Sequence, residues 1–110
     1  MSDPLDTAFH ALRLEYLASM PERLQELRSD IAALQSGQPG MDTSIKIRLH
    51  RLAGSGGSYG FTQLSSIARE AEHRIARHPT VAAASDLTVI VERLAQAAEE
   101  AARRLGGVSG

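Results

Sequence analysis

The residues best placed to do chemistry lie between Lys46 and Phe61, in the run Lys46-Ile47-Arg48-Leu49-His50-Arg51-Leu52-Ala53-Gly54-Ser55-Gly56-Gly57-Ser58-Tyr59-Gly60-Phe61. A single histidine, His50, sits in this run. A neutral imidazole keeps a nucleophilic ring nitrogen, and an unperturbed pKa of ~6.5 leaves most of such a population neutral at pH 7. A histidine facing solvent can therefore take up and carry a phosphoryl group. The local charge suits an anion: no acidic residue occurs between Asp42 and Glu70, whereas Lys46, Arg48, Arg51 and Arg69 are basic.

The element that must position His50 is an amphipathic helix. Ile45, Leu49, Leu52, Gly56 and Tyr59 follow one another at spacings of four, three, four and three, which places them on one face at about 100° per residue. That face is expected to be buried. His50 falls about a quarter turn from Leu49, beside Lys46, Ala53, Gly54 and Gly57. A glycine inside a helix costs roughly 1 kcal/mol relative to alanine, so Gly54, Gly56 and Gly57 need a reason. One reading is an imidazole standing on a bare helix surface that a second protein approaches. The other is a flexible loop over 54–60 that ends the helix, and periodicity alone leaves the two open.

Other chemistries find less support. Without cysteine there is no disulfide, thiolate metal site or thiol nucleophile. Glu70-Ala71-Glu72-His73 contains one Glu-x-x-His pair, but a di-iron bundle needs two such pairs plus further carboxylates, and His73 and His78 are five apart. No metal site is expected; His10, His73 and His78 read as surface residues. The glycine-rich segment lacks the Gly-Lys-Ser/Thr ending of a phosphate-binding loop and follows a helix, not a strand.

Around this site the pattern is helical throughout. Asp3 and Pro4 suit a helix cap and first turn. From there Phe9, Leu12, Tyr16, Met20, Leu24, Leu27, Ile31 and Leu34 form an apolar stripe that runs across Pro21, so the first helix should be long and kinked, or split, near that proline. Gly37, Pro39 and Gly40 make a loop. Asp42, Thr43 or Ser44 can cap the His50 helix, which should reach about Tyr59 with Gly60 as its stop. Thr62 opens a third helix with Leu64, Ile67, Ala68, Ala71 and Ile75 inward and Pro79 marking its end. Ser85 or Asp86 opens the last, with Leu87, Ile90, Val91, Leu94, Ala97, Ala98, Ala101 and Leu105 inward. The expected fold is all-α: an up-and-down antiparallel four-helix bundle over residues 3–105, with 106–110 a disordered tail.

Composition agrees. At 110 residues and 43% hydrophobic, with two Phe, two Tyr and no Trp, the chain can bury one modest aliphatic core. Twelve basic against thirteen acidic side chains leave a net charge of -1, which gives no overall attraction to nucleic acid or to a membrane surface. The near-neutral start Met1-Ser2-Asp3-Pro4 lacks the layout of a signal peptide, and no apolar run reaches the ~20 residues of a membrane span. A cytoplasmic protein is expected.

His50-Arg51-Leu52-Ala53-Gly54, followed by Ser55-Gly56-Gly57-Ser58-Tyr59-Gly60-Phe61, resembles the signature of histidine-containing phosphotransfer (HPt) domains: His-x-Leu-(Lys)-Gly, five residues, then Gly and an apolar residue. The resemblance extends to the following helix and covers most of the chain. It implies a phosphorelay intermediate that accepts a phosphoryl group on His50 from a sensor histidine kinase or a receiver-domain aspartate and passes it to a response regulator. The carrier would have no nucleotide site and no cofactor of its own, the receiver supplying Mg²⁺, and would act as a monomer. The family resemblance also points to Glu72, 22 positions after His50, where the chemotaxis-kinase phosphotransfer domain has a glutamate that orients the active histidine. The plainer reading of Glu72 is a solvated carboxylate paired along its own helix, and Glu70 lies close by. Arg69, one turn earlier, is a candidate stabiliser of phosphoryl charge, and Lys46, Arg51, Ala53, Gly54 and Gly57 are the expected partner-binding positions, with Arg48 a further basic contact. The chain departs from the family at Ala53, where lysine is common. That departure sustains an alternative: an HPt-like bundle that binds a receiver or kinase without being phosphorylated.

Overall fold

A computed structural model describes residues 3–77 and 83–106, as helices α1 (Pro4–Ala18), α2 (Met20–Gln35), α3 (Met41–Ser58), α4 (Thr62–Arg77) and α5 (Ala83–Leu105). No strand occurs among the described residues. α1 and α2 are two pieces of one interrupted helix, so the bundle proper has four: α2 packs against α3 and α5, and α4 against α3 and α5. The end of the third helix expected at Pro79, and the tail from residue 107 onward, lie outside the described residues. No described helix is long and apolar enough to cross a membrane.

The first helix is split, and Ser19 is where it breaks. The Asp3 carboxylate caps α1 by accepting from the Leu5 N–H at 2.8 Å. At the other end Ser19 closes α1 through its N–H to the Glu15 and Tyr16 carbonyls, and its hydroxyl also donates to Tyr16 O at 2.6 Å. Pro21 then falls in the first turn of α2, where its missing N–H leaves no helical bond broken.

Two helix starts differ from the sequence expectation. α3 begins at Met41 behind Gly40, whose φ of +81° is a left-handed conformation that glycine adopts without steric cost. Asp42, Thr43 and Ser44 are already inside the helix, and Ser44 donates its hydroxyl to Asp30 on α2 at 2.7 Å. α5 begins at Ala83, earlier than Ser85 or Asp86.

The α3 to α4 turn sets the site's geometry. Gly60, at φ +83°, lets the Phe61 N–H reach Gly56 O at 2.8 Å and the Gly60 N–H reach Gly57 O at 3.0 Å, the two bonds of a Schellman C-cap. Phe61 is thereby turned into the core. With so short a connection α3 and α4 must run antiparallel and side by side.

Met20, Leu24, Leu27, Ile31 and Leu34 of α2 meet Ile45, Leu49 and Leu52 of α3, Leu64, Ile67 and Ile75 of α4, and Leu87, Ile90, Val91 and Leu94 of α5 in one buried core. Each such side chain contributes roughly 1.5–3 kcal/mol on burial. The stripe is not covered along its full length, however: Phe9 and Leu12 remain 43% and 47% exposed. α1 lies against α5 and α2, but every residue from Asp3 to Leu12 is exposed. α1 is held by Leu17 in the core, by hydrogen bonds from Arg13 to Tyr59 O and between the Tyr16 and Ser55 hydroxyls, and by a stack of all four Phe and Tyr rings in the chain, with centroids 6.2 Å apart for Phe9 and Tyr59, 4.8 Å for Tyr16 and Tyr59, and 6.0 Å for Tyr16 and Phe61.

Candidate functional site

The α3/α4 pair carries the site. Ile45, Leu49 and Leu52 bury the inner face of α3, which turns His50 outward, its side chain 76% exposed. On α4, Ile67, Ala68, Ala71 and Ile75 face inward, and Glu72, next to that stripe, leans toward α3. His50 Nδ1 and Glu72 Oε2 are 2.9 Å apart. A carboxylate only accepts, so the hydrogen of that bond sits on Nδ1. In the neutral ring the lone pair is then on Nε2, which has no partner among the described residues. Glu70 points elsewhere, its carboxylate shared by Arg74 and Arg93 at 3.6 and 3.3 Å.

Beside the imidazole runs a shallow cleft of about 430 Å³, lined by Lys46, His50, Ala53 and Gly54 of α3 and by Arg69, Glu72, His73 and Ala76 of α4. Ala53 is nearly buried, at 4% exposure, on its floor. A short side chain there leaves the cleft open. Lys46 and Arg69 reach it from opposite helices. Arg51 lies on the other flank of α3, in a groove with Arg23, Glu26 and Arg48. Lys46, Arg51 and Arg69 form no ion pair with any described residue.

Arg48 behaves differently from the expected docking contact. Its guanidinium is held by Asp30 at 2.7 Å and Glu26 at 2.6 Å. The hydrogen bond that Arg48 donates to Asp30 is the largest cause of a pKa raised above the ordinary arginine value, against a smaller opposing effect of burial. It ties α3 to α2 and is not free for a partner.

The glycines divide in the same way. A Cβ on Gly56 would stand 3.4 Å from the Ser65 backbone nitrogen, and one on Gly57 would stand 3.3 Å from Ser65 Oγ. Those two glycines admit α4, whose buried Ser65 donates to Ala53 O at 2.6 Å. Gly54 alone of the three faces open space, with nothing within 4 Å of where its Cβ would be. The bare surface expected over the whole segment is therefore bare at Gly54.

Two residues of this surface were not among the expected site positions. His73 lines the cleft; its position four residues after Arg69 was the available signal. Ile47 is 46% exposed on α3, outside the buried stripe and three residues before His50. As for metals, no group of three or more His, Asp or Glu among the described residues is arranged to hold an ion, and His78 lies outside them.

A family model described as Hpt domain matches residues 11–104. No curated protein and no solved structure matches the chain.

Proposed function

The chain belongs to the Hpt domain family, and on that premise we propose that His50 is the phosphoacceptor of a two-component phosphorelay. It takes a phosphoryl group from a sensor histidine kinase or a receiver-domain aspartate and hands it to a response regulator. Members of this family are phosphoryl carriers without a nucleotide site of their own. The reaction is placed in the cytoplasm, between this chain as a monomer and a partner that brings Mg²⁺ and the catalytic groups.

The observation that carries this reading is the 2.9 Å contact between His50 Nδ1 and Glu72 Oε2 on an otherwise exposed ring. In transfer from a receiver, the Nε2 lone pair attacks the phosphorus of the aspartyl phosphate, an N–P bond forms, and the P–O bond to the aspartyl carboxyl breaks. The electron pair of that bond leaves with the carboxylate. Nδ1 keeps its hydrogen, so the ring becomes a phosphorylated imidazolium, and Glu72 holds the tautomer before the step and balances the charge after it. Lys46 and Arg69 reach the cleft beside the incoming phosphoryl oxygens and offset their charge. They supply cations that position 53 does not.

The test is incubation with phosphorylated receivers and with kinases, followed by a search for acid-labile, base-stable phosphate on the chain. His50→Gln is expected to abolish that label. Label that survives the substitution would refute the site, and binding without label across competent donors would favour the alternative of a phosphate-free binding module, which Ala53 keeps in view.

A further inference from the structure

We propose that Ile47 is the apolar contact by which the domain carrying the aspartyl phosphate recognises this chain. This rests on the phosphotransfer reading above and adds what selects the partner.

Ile47, His50 and Gly54 are spaced by three and four residues, so at about 100° per residue they lie within about 60° of arc on the outer face of α3. The imidazole thus stands between a projecting side chain and a missing one. Neither belongs to the buried core. Ile47 is 46% exposed, and a β-branched residue at an exposed helix position serves the helix less well than alanine. Gly54 leaves room that no described residue enters within 4 Å, unlike Gly56 and Gly57. Among the described residues the other large exposed apolar side chains, Leu5, Phe9, Leu12 and Leu14 on α1 and Val89 on α5, are on helices that do not carry the histidine.

The charges around the strip identify the occupant. Lys46 and Arg51 on α3 and Arg69 on α4 are unpaired among the described residues, and the nearby carboxylate, Glu72, is taken up by His50. A surface with an apolar knob ringed by free cations fits a partner whose acidic pocket sits beside an apolar hollow. A receiver must hold Mg²⁺ through carboxylates beside its phosphorylated aspartate, so the face it presents carries the required negative charge. In such an arrangement the cations govern encounter and the buried apolar side chain governs affinity.

The experiment compares wild type, Ile47→Ala, Ile47→Leu and Val89→Ala with two donors: the phosphorylated receiver that labels His50, and phosphoramidate, too small to touch Ile47. With the receiver, Ile47→Ala is expected to lower kcat/KM by about tenfold or more through KM at unchanged kcat. Ile47→Leu should recover most of the loss, and Val89→Ala should match wild type. With phosphoramidate all four should label equally. Equal receiver transfer by Ile47→Ala and wild type, or an equal loss with both donors, would overturn the inference. Failure of wild type to be labelled by any phosphorylated receiver would instead overturn the function on which it rests.

Discussion

Ser65 Oγ donates a 2.6 Å hydrogen bond to the carbonyl of Ala53, one turn beyond His50 on the facing helix. The bond is buried and lies where Gly56 and Gly57 let α4 come close. It fixes the separation of α3 and α4, and Glu72 stands two turns further along α4. The distance from Glu72 to His50 is therefore set by small residues that perform no chemistry.

Widening that contact should disturb stability and transfer together. Ser65→Ala removes one neutral hydrogen bond and is expected to cost about 1 kcal/mol in denaturant unfolding. Ser65→Val, whose branches would press on Gly56 and Gly57, should cost about 1–3 kcal/mol and slow His50 labelling beyond the effect of Ser65→Ala.

Glu72→Gln keeps the shape of the side chain but loses the charge that balances a phosphorylated imidazolium. Transfer to His50 should fall by about 10- to 100-fold. Because the His50 ring is largely exposed, the unfolding free energy should move by less than about 0.5 kcal/mol. A rate equal to wild type would remove Glu72 from the mechanism.

Gly54→Ala should raise stability while it lowers activity. The new methyl meets no other described part of the fold within 4 Å, so the helix gains about 1 kcal/mol, measured by thermal unfolding. The same methyl narrows the partner's approach, and receiver-dependent transfer should slow. Gly57→Ala should gain less stability, since its Cβ would meet Ser65 Oγ at 3.3 Å.

Asp30→Ala would strip Ser44 of its acceptor on α2 and Arg48 of one of its two, leaving Glu26. A loss of about 1–3 kcal/mol is expected in denaturant unfolding. Arg48's pKa is raised in the folded protein, so its share of stability is fully present below the unfolded value and is lost only as pH climbs through the folded one. Both lie far above neutrality. The Arg48 contribution should therefore stay constant across neutral pH.

Lys46→Ala and Arg69→Ala, singly and together, test whether cations from two helices stand in for the one absent at Ala53. The double variant should slow transfer more than either single change. Thermal unfolding should barely respond, because neither side chain is ion-paired among the described residues.

The amino-acid sequence by itself determined the four apolar stripes, the interruption near Pro21, the stop at Gly60 and the histidine on the outer face of α3. Each depends on neighbours within a few turns: periodicity, a proline in a first turn, a glycine at positive φ. Tertiary structure alone decided which of Glu70 and Glu72 meets His50, that Arg48 is spent on Asp30 and Glu26, and that Gly56 and Gly57 serve α4 while Gly54 stays open. It also decided that the stripe continues past its cover, leaving Phe9 and Leu12 about half exposed. These outcomes depend on the distance and rotation between helices, which arise from side chains far apart in the chain coming into contact, and no local pattern records them.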